Sequence, residues 1–565
     1  MESIFQTEKS IDEFFVKLLL INILKYVSFM SKTLFLGDEA VAQAALDAGL
    51  SGVYAYPGTP STEITEFIQN SKQGRAGEVH SIWAGNEKTA MESAIGMSYA
   101  GKRSMVCMKH VGLNVAADPF MNSSITGANG GIVVVVADDP SMHSSQDEQD
   151  SRYYAKFALI PSFEPSNQQE AYDITYAAFD FSEKYRTPVL IRLTTRLSHS
   201  RAGVERKAER PQNPLHIEEN PKQFILLPAN ARVHYRTLLG KQDAFEEESF
   251  NSPFNKYIDG ADKKMGIIAS GIAYNYLMEN YEGGKCPHPV LKISQYPLPS
   301  KLIAKMVDEC ETVLVAEEGY PFIEEQVRGI LNRTGNIIGR LSGALPRDGE
   351  LNPNLVAKAL GLPDTYGAPI PELVVPRPPA LCVGCPHIDS YNAINAAMEK
   401  YGKGKVFADI GCYTLGALPP YNAIYTTVDM GASITMAKGA ADAGLRPVLA
   451  VIGDSTFTHS GMTSLLDCIY ENTPVTVMIL DNSTTGMTGG QDSHALGVLG
   501  EICKGLGVKE EHIHRINPLK AHHDENVAII EKELEYEGVS VIIPTRECIQ
   551  TLSRRMKKQQ AAKKQ

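Results

Sequence analysis

The chain predicts an α/β protein made of three doubly wound parallel-sheet domains, and three observations carry that expectation. Short β-branched runs alternate with amphipathic stretches along most of the 565 residues. The runs are apolar on both faces, as strands buried between two helix layers are. Two weakly periodic or proline-rich segments interrupt the alternation, and a chain this long exceeds what one hydrophobic core accommodates.

Taken in order, residues 1–32 form an N-terminal extension. Its apolar stretch FFVKLLLINILKYVSF (14–29) contains Lys17 and Lys25 and is shorter than the roughly 20 residues that cross a bilayer. Its acidic start does not fit a secretory leader, so an accessory helix, or sequence upstream of a true start at Met30, is expected. Residues 33–202 carry GVYAYP, HSIWAG, SMVCMKH, GIVVVVADD and PVLIRLTT as strands, with EITEFIQN and EKTAMESAIGMSYAG as helices between them. Residues 203–262 are polar and weakly periodic, a connector. Alternation resumes over 263–362 in a smaller α/β domain. GAPIPELVVPRPPA, with five prolines in fourteen residues, makes 363–380 a stiff linker. Residues 381–545 form the third domain, with KVFADIG, AIYTTVD, RPVLAVIGD, PVTVMILDN and VSVIIPT. The lysine-rich end, 546–565, reads as a solvated basic tail.

Charge and cysteine usage narrow the function. A formal net charge of −12 disfavours nucleic acid or an anionic membrane as partner. Nine scattered cysteines, an odd number, fit a reducing compartment, so the cytoplasm is the expected location.

Two strand ends in the third domain carry the chemistry. VLAVI runs into Gly453, Asp454 and Ser455, and VTVMIL into Asp481, Asn482 and a glycine-bearing loop. Ligands of open parallel sheets bind at the carboxyl ends of strands, where glycines admit close backbone approach and helix N-termini present free N–H groups. Asp454, the Asn482 side chain and the Thr484 carbonyl are hard oxygen donors suited to Mg²⁺ held with a diphosphate. Asp454 and Asn482 lie 28 positions apart (482 minus 454), the length of a helix and a strand, so neighbouring strands would bring them together. A lone GD or DN after a strand is ordinary turn chemistry. The pair at this spacing matches the thiamine diphosphate signature, in which GDG is followed after about 25 residues by NN. Ser455 replaces the third glycine and Asp481 the first asparagine.

Beyond the signature, YPGTPSTEI, NEKTAMESAIG, MKHVGLNVAADP, VVVVADDPSMHSSQDEQDSRYYA, RPPALCVGCPH, ADIGCYTLG and MTGGQ occur in order between Leu34 and Thr545. On these the chain resembles the thiamine-dependent 2-oxoacid:ferredoxin oxidoreductases, and among them the alpha subunits of indolepyruvate:ferredoxin oxidoreductase. The resemblance implies transketolase-like, thiamine diphosphate-binding domains. It implies that Glu87 hydrogen-bonds the aminopyrimidine ring and so favours loss of the C2 proton, and that Thr59 lies near the substrate carboxylate. His110 is carried as a third catalytic candidate; His143 and His387 are possible proton handlers, and for all three a structural role is as well supported. Gly453, Asp454, Ser455, Asn482, Thr484 and Gly486 would cradle the cofactor, with Cys412 and Gly431 lining the same loops; Asp454, Asn482 and Thr484 would hold Mg²⁺. The cofactor adds to a 2-oxoacid carbonyl and stores the electrons left when CO₂ departs. Because Glu87 and the diphosphate loops lie in different domains, a dimer is expected.

Met487 stands where pyruvate-oxidising relatives have asparagine, which suits a bulkier, apolar substrate. Cys382 and Cys385 form one CxxC, but no second CxxC exists, and Cys548 alone follows Cys503. The ferredoxin-like segment common among relatives is therefore missing, and a [4Fe–4S] cluster, which takes four cysteines, is expected on a partner chain. The reading is a large subunit that oxidises arylpyruvates such as indolepyruvate to aryl-acetyl-CoA with ferredoxin as acceptor. A smaller catalytic subunit is expected as partner, and the assembly is expected to be a homodimer of this chain or a heterotetramer. A nonoxidative decarboxylase or ligase is the alternative, and a scaffold that has lost its chemistry a third.

Overall fold

The structure, a computed structural model, describes residues 32–220, 222–329, 336–363, 369–375 and 379–562. The expectations for residues 14–29 and for part of the proline-rich linker lie outside these. Two compact units divide the chain at residues 368 and 369.

The first unit contains β1 (Thr33–Leu36), β2 (Gly52–Ala55), β3 (His80–Trp83), β4 (Ser104–Lys109), β5 (Ile132–Asp138), β6 (Ser162–Phe163), β7 (Val189–Thr194) and β8 (Arg201–Val204). A second group follows: β9 (Lys256–Ile258), β10 (Met265–Ser270), β11 (Val290–Ile293), β12 (Gln295–Tyr296), β13 (Thr312–Ala316) and β14 (Ile337–Ile338). The main sheet runs β12-β6-β7-β5-β4-β2-β3, parallel except at its β12 edge. Every residue of the Ile132–Asp138 run is buried, as the two-sided apolar pattern requires. Helices cover both faces. Gln168–Tyr185 starts where Asn167 Oδ1 accepts the Glu170 amide at 2.9 Å and stops at Arg186, whose φ of 49° is left-handed.

The second sheet of this unit, β14-β13-β10-β11-β9, is parallel except for β9. Its chain also sends β12 across to the main sheet, where Gln295 and Tyr296 pair with Phe163 and Ser162. Buried ions join the same segments. Arg192 holds Asp138 Oδ2 and Glu164 Oε1, each at 2.5 Å, and Arg152 holds Asp150 and Glu317. The connector is more regular than its sequence suggests, since Pro228–Leu239 and Gln242–Phe250 are helices.

The second unit carries β15 (Val406–Ala408), β16 (Leu449–Gly453), β17 (Val475–Leu480), β18 (Thr484–Thr485), β19 (Gln491–Asp492), β20 (Ile513–Ile516) and β21 (Val539–Pro544). Its parallel sheet runs β15-β16-β17-β21-β20. AIYTTVD, expected as a strand, is not one. Beside β15 the Thr426 hydroxyl takes over the ladder, accepting from the Ala408 amide and donating to the Ala408 carbonyl, both at 3.0 Å. The basic tail is not simply solvated. It forms the helix Ile549–Ala562, and Arg554 Nη1 donates to the Gly489 carbonyl.

Candidate active site

In the first unit the expected residues gather where β2, β3 and β4 end. Glu87 opens the helix Glu87–Tyr99, after Asn86, whose Oδ1 accepts the Thr89 amide at 2.9 Å. Its side chain is only 5% exposed although it sits in a first helical turn, where a carboxylate is ordinarily a solvated capping charge. The reason is Gly112: a methyl group there would come within 2.6 Å of Glu87 Oε1, so only a glycine leaves room for the carboxylate. Lys109, at the end of β4, is held below the usual ammonium range by burial, with the charges of Asp139, Asp147 and Glu87 opposing that shift. Lys109 also packs its methylenes against Gly58, in the turn closed by the Ser61 amide on the Gly58 carbonyl at 2.9 Å. Thr59, half-buried, projects from that turn. His110 is buried, its Nε2 3.2 Å from the Asp147 carbonyl. Its Nδ1 has no partner among the described residues. Glu87, Thr59 and His110 thus share one sheet edge; Lys109 and Gly112, which link them, were not singled out in the sequence. His143 stands apart, half exposed and 3.4 Å from Glu350.

In the second unit, β16 and β17 are parallel neighbours with Gly453 opposite Leu480, so Asp454 and Asn482 emerge from adjacent strand tips, as their spacing requires. Gly453 faces Tyr413, whose ring a methyl group would meet at 2.7 Å. Asp454 is buried, and its Oδ2 has no partner among the described residues. Burial, then the neighbouring Asp481, pushes its carboxyl up to about 7. After Asp454 the helix widens into a π-turn over Phe457–Gly461, a form frequent at functional sites. Ser455 Oγ meets Thr485 Oγ1 at 2.8 Å and ties the two loops together. Asn482 Oδ1 accepts the Thr484 amide at 3.1 Å, and its Nδ2 lies 3.3 Å from Nε2 of His387. Burial holds that imidazole down to about 4, hence neutral. Met487 is 57% exposed on the same loop.

A buried carboxylate missed in the sequence organises the remaining loop. Asp409 Oδ2 accepts the Gly431 and Ser433 amides, each at 3.1 Å, and the Ser433 hydroxyl at 2.7 Å, while the Tyr413 hydroxyl donates to Oδ1. Gly431, with φ of 95°, could not carry a side chain, because a methyl group would sit 2.7 Å from Ser460 Cβ. The motif ADIGCYTLG contained this signal, but an aspartate after a strand reads as a turn until its partners are seen.

The cysteines also assemble beyond expectation. Cys412 Sγ approaches Gly486, where a Cβ would lie 3.0 Å away. Burial pushes the Cys412 thiol up to about 12, and Cys385, Cys548 and Cys382 are near enough to add to the shift. Cys385 closes a turn on the Cys382 carbonyl at 2.9 Å, and the Cys548 amide donates to the Asn482 carbonyl at 3.1 Å. The loops bearing Cys382 and Cys385, Cys412, and Cys548 are therefore neighbours, and all four cysteines are free.

The residues present fit the groups that the family implies. An unpartnered buried carboxylate oxygen on the strand tip next to that of Asn482 suits a hard cation, and glycines 453, 431 and 486 let the loops around it pack closely on Tyr413, Ser460 and Cys412. Residues 43–247 match the family model "Pyruvate flavodoxin/ferredoxin oxidoreductase, thiamine diP-bdg", and residues 409–542 match "Thiamine pyrophosphate enzyme, C-terminal TPP binding domain". Indolepyruvate oxidoreductase subunit IorA of Archaeoglobus fulgidus is 40% identical, over 92% of this chain and 86% of that protein. The IorA subunit of Pyrococcus abyssi is 39% identical over the same shares, 92% and 86%. Among solved structures, the 2-oxoglutarate:ferredoxin oxidoreductase of Magnetococcus marinus is similar at a TM-score of 0.49 and 16% identity, over 59% of this chain and 65% of that one. Among the described residues no helix is long and apolar enough to cross a membrane.

Proposed function

The chain belongs to the indolepyruvate oxidoreductase IorA family, and from that membership we propose that it binds thiamine diphosphate with Mg²⁺ and oxidatively decarboxylates arylpyruvates to aryl-acetyl-CoA, with ferredoxin as acceptor. The coarser activity, thiamine-dependent 2-oxoacid oxidoreduction, is the family's. The observation that carries the cofactor reading is the pairing of Asp454, whose buried Oδ2 has no partner among the described residues, and Asn482 on adjacent strand tips; the arylpyruvate substrate rests on the family alone.

Bound thiamine diphosphate supplies a carbon nucleophile for the keto carbon and a sink for the electrons that CO₂ leaves behind. This chain's own residues would place it. Asp454, Asn482 and the Thr484 carbonyl would hold the cation, and Gly453, Ser455, Gly431, Gly486 and Cys412 would line the diphosphate. Glu87, desolvated against Gly112, would accept a hydrogen bond from the aminopyrimidine of a cofactor held by this or a second copy of the chain, and so direct proton removal. Thr59 orients the substrate carboxylate, with His110 beside it. His387 stays neutral and fixes Asn482 by its Nε2. Met487 presents an apolar surface to an aryl side chain.

The four-thiol group supports a revision of the sequence reading. A [4Fe–4S] cluster was expected on a partner because one CxxC was visible; Cys382, Cys385, Cys412 and Cys548 would hold one in this chain, where it would accept electrons singly. A smaller catalytic subunit and ferredoxin remain the proposed partners, in the cytoplasm.

The test is turnover of the purified chain, with and without a candidate partner subunit, in thiamine diphosphate, Mg²⁺, indolepyruvate, CoA and a low-potential dye. Dye reduction that collapses by several orders of magnitude in Glu87→Gln, with cofactor binding nearly intact, supports the reading. Aldehyde release without dye reduction would make the enzyme a nonoxidative decarboxylase, and full activity in Glu87→Gln would remove that residue from the mechanism.

A further inference from the structure

Away from these residues, three elements of the first unit bring together a second set of metal-ligating side chains. Asp38 lies in the first turn of the helix Gly37–Asp47, Glu63 in the first turn of Thr62–Asn70, and His199 at the end of Thr195–His199. One ligand atom from each lies within 4.8 Å of the others. An acid in a first helical turn ordinarily faces water, but Asp38 is fully buried. Gly37 makes this happen: a methyl group on it would stand 2.2 Å from the Leu197 carbonyl, so the helix start presses directly onto the segment bearing His199.

The buried oxygens there are unsatisfied. Among the described residues neither Asp38 oxygen has a well-formed hydrogen bond, nor has Glu63 Oε2, whose contact with His199 Nε2 is 3.6 Å in a pair about a third exposed. The Ser198 hydroxyl lies beside Asp38, placed to donate to it but not aligned well enough to satisfy it. Buried carboxylates are costly unless they are protonated, paired or bound to a metal. A proton on Asp38 would relieve its charge and serve one neighbour, but it would not draw all three side chains together. A cation engages both carboxylates and the imidazole together, through bonds of roughly 2.0–2.2 Å, with sub-ångström adjustment of atoms already this close.

We propose that Asp38, Glu63 and His199 bind a first-row divalent cation, separate from the one assigned to Asp454. The mixed oxygen and imidazole donor set suits manganese, iron or zinc better than calcium. Glu63 follows directly on the Tyr56–Ser61 turn, so the ion clamps the start of that helix to two other elements and fixes the turn that presents Thr59.

Manganese separates this site from the others, because it is a poor ligand for the thiol group and the Asp454 site is weak without a diphosphate. The full chain, stripped with EDTA and free of thiamine diphosphate, is titrated with Mn²⁺ and followed by electron paramagnetic resonance. Tight binding is expected in the wild type and in Asp454→Asn, at least tenfold weaker binding in Asp38→Asn and His199→Gln, and loss of the nitrogen coupling in pulsed spectra of His199→Gln. His199 is a third exposed, so its substitution reports even where Asp38→Asn fails to fold. No bound Mn²⁺ in the wild type, loss in Asp454→Asn instead, or unchanged affinity and nitrogen coupling in His199→Gln would overturn the site.

Discussion

Gly112 and Glu87 are in contact across two elements: a Cβ on Gly112 would lie 2.6 Å from Glu87 Oε1, 2.8 Å from its Cγ and 3.0 Å from its Cδ. The contact fixes where the carboxylate stands. Gly112→Ala is therefore expected to displace Glu87 while leaving the sheet intact. A displacement near 1 Å at a catalytic group costs up to about a hundredfold. Steady-state dye reduction should show kcat reduced ten- to a hundredfold with the dissociation constant for thiamine diphosphate nearly unchanged; an unchanged kcat would show that the carboxylate's position does not matter.

His387 gives the second unit an acid sensitivity whose sign is set by burial. Its pKa falls from 6.5 to about 4 in the fold. The unfolded chain therefore takes up the proton first as pH drops, so the stabilising contribution is complete above pH 6.5 and is lost as pH falls toward 4. The interval from 6.5 to 4 corresponds to about 3 kcal/mol. Urea midpoints measured from pH 7 to 4 should fall less steeply in His387→Gln than in the wild type. Parallel slopes would mean that the imidazole is protonated in the folded protein.

Arg192 is fully buried with Asp138 and Glu164 on its guanidinium. Arg192→Met removes the cation and leaves both carboxylates without it. Breaking a buried pair in this way costs about 3–5 kcal/mol, and chemical denaturation should register a loss of that size. A loss below about 1 kcal/mol would mean that the carboxylates recruit protons or water at little cost.

Cys412 is the thiol that joins the cofactor loop to the other three cysteines. Anaerobically purified wild type is expected to carry iron and acid-labile sulfide, and Cys412→Ser to lose most of both and to stop dye reduction while still releasing CO₂ slowly. Wild-type protein that binds no iron after reconstitution would return the cluster to a partner chain.

Much of this was legible in the sequence, for a definable reason. Strand runs such as Ile132–Asp138 and Val475–Leu480 are buried on both faces, and that pattern alone demands parallel sheets with helices on either side. A separation of 28 residues between Asp454 and Asn482 is what one helix and one strand consume, so their meeting on β16 and β17 followed from chain geometry. Where side chains replaced backbone, the reading failed: Thr426 completes the edge beside β15 with its hydroxyl, and AIYTTVD makes no strand.

Local periodicity and short, regular spacing were enough for the α/β layering, for the strand-tip position of the Asp454 and Asn482 loops and for the acid at the start of the Glu87 helix. Long-range packing settled that Asp409 would hold the Gly431 loop, that Cys548 would come near Cys412, more than 130 residues upstream, and that Asp38 would be buried against Glu63 and His199. These depend on how helices seat against one another, and the burial that gives a polar group its chemistry exists only once distant segments have excluded water from it.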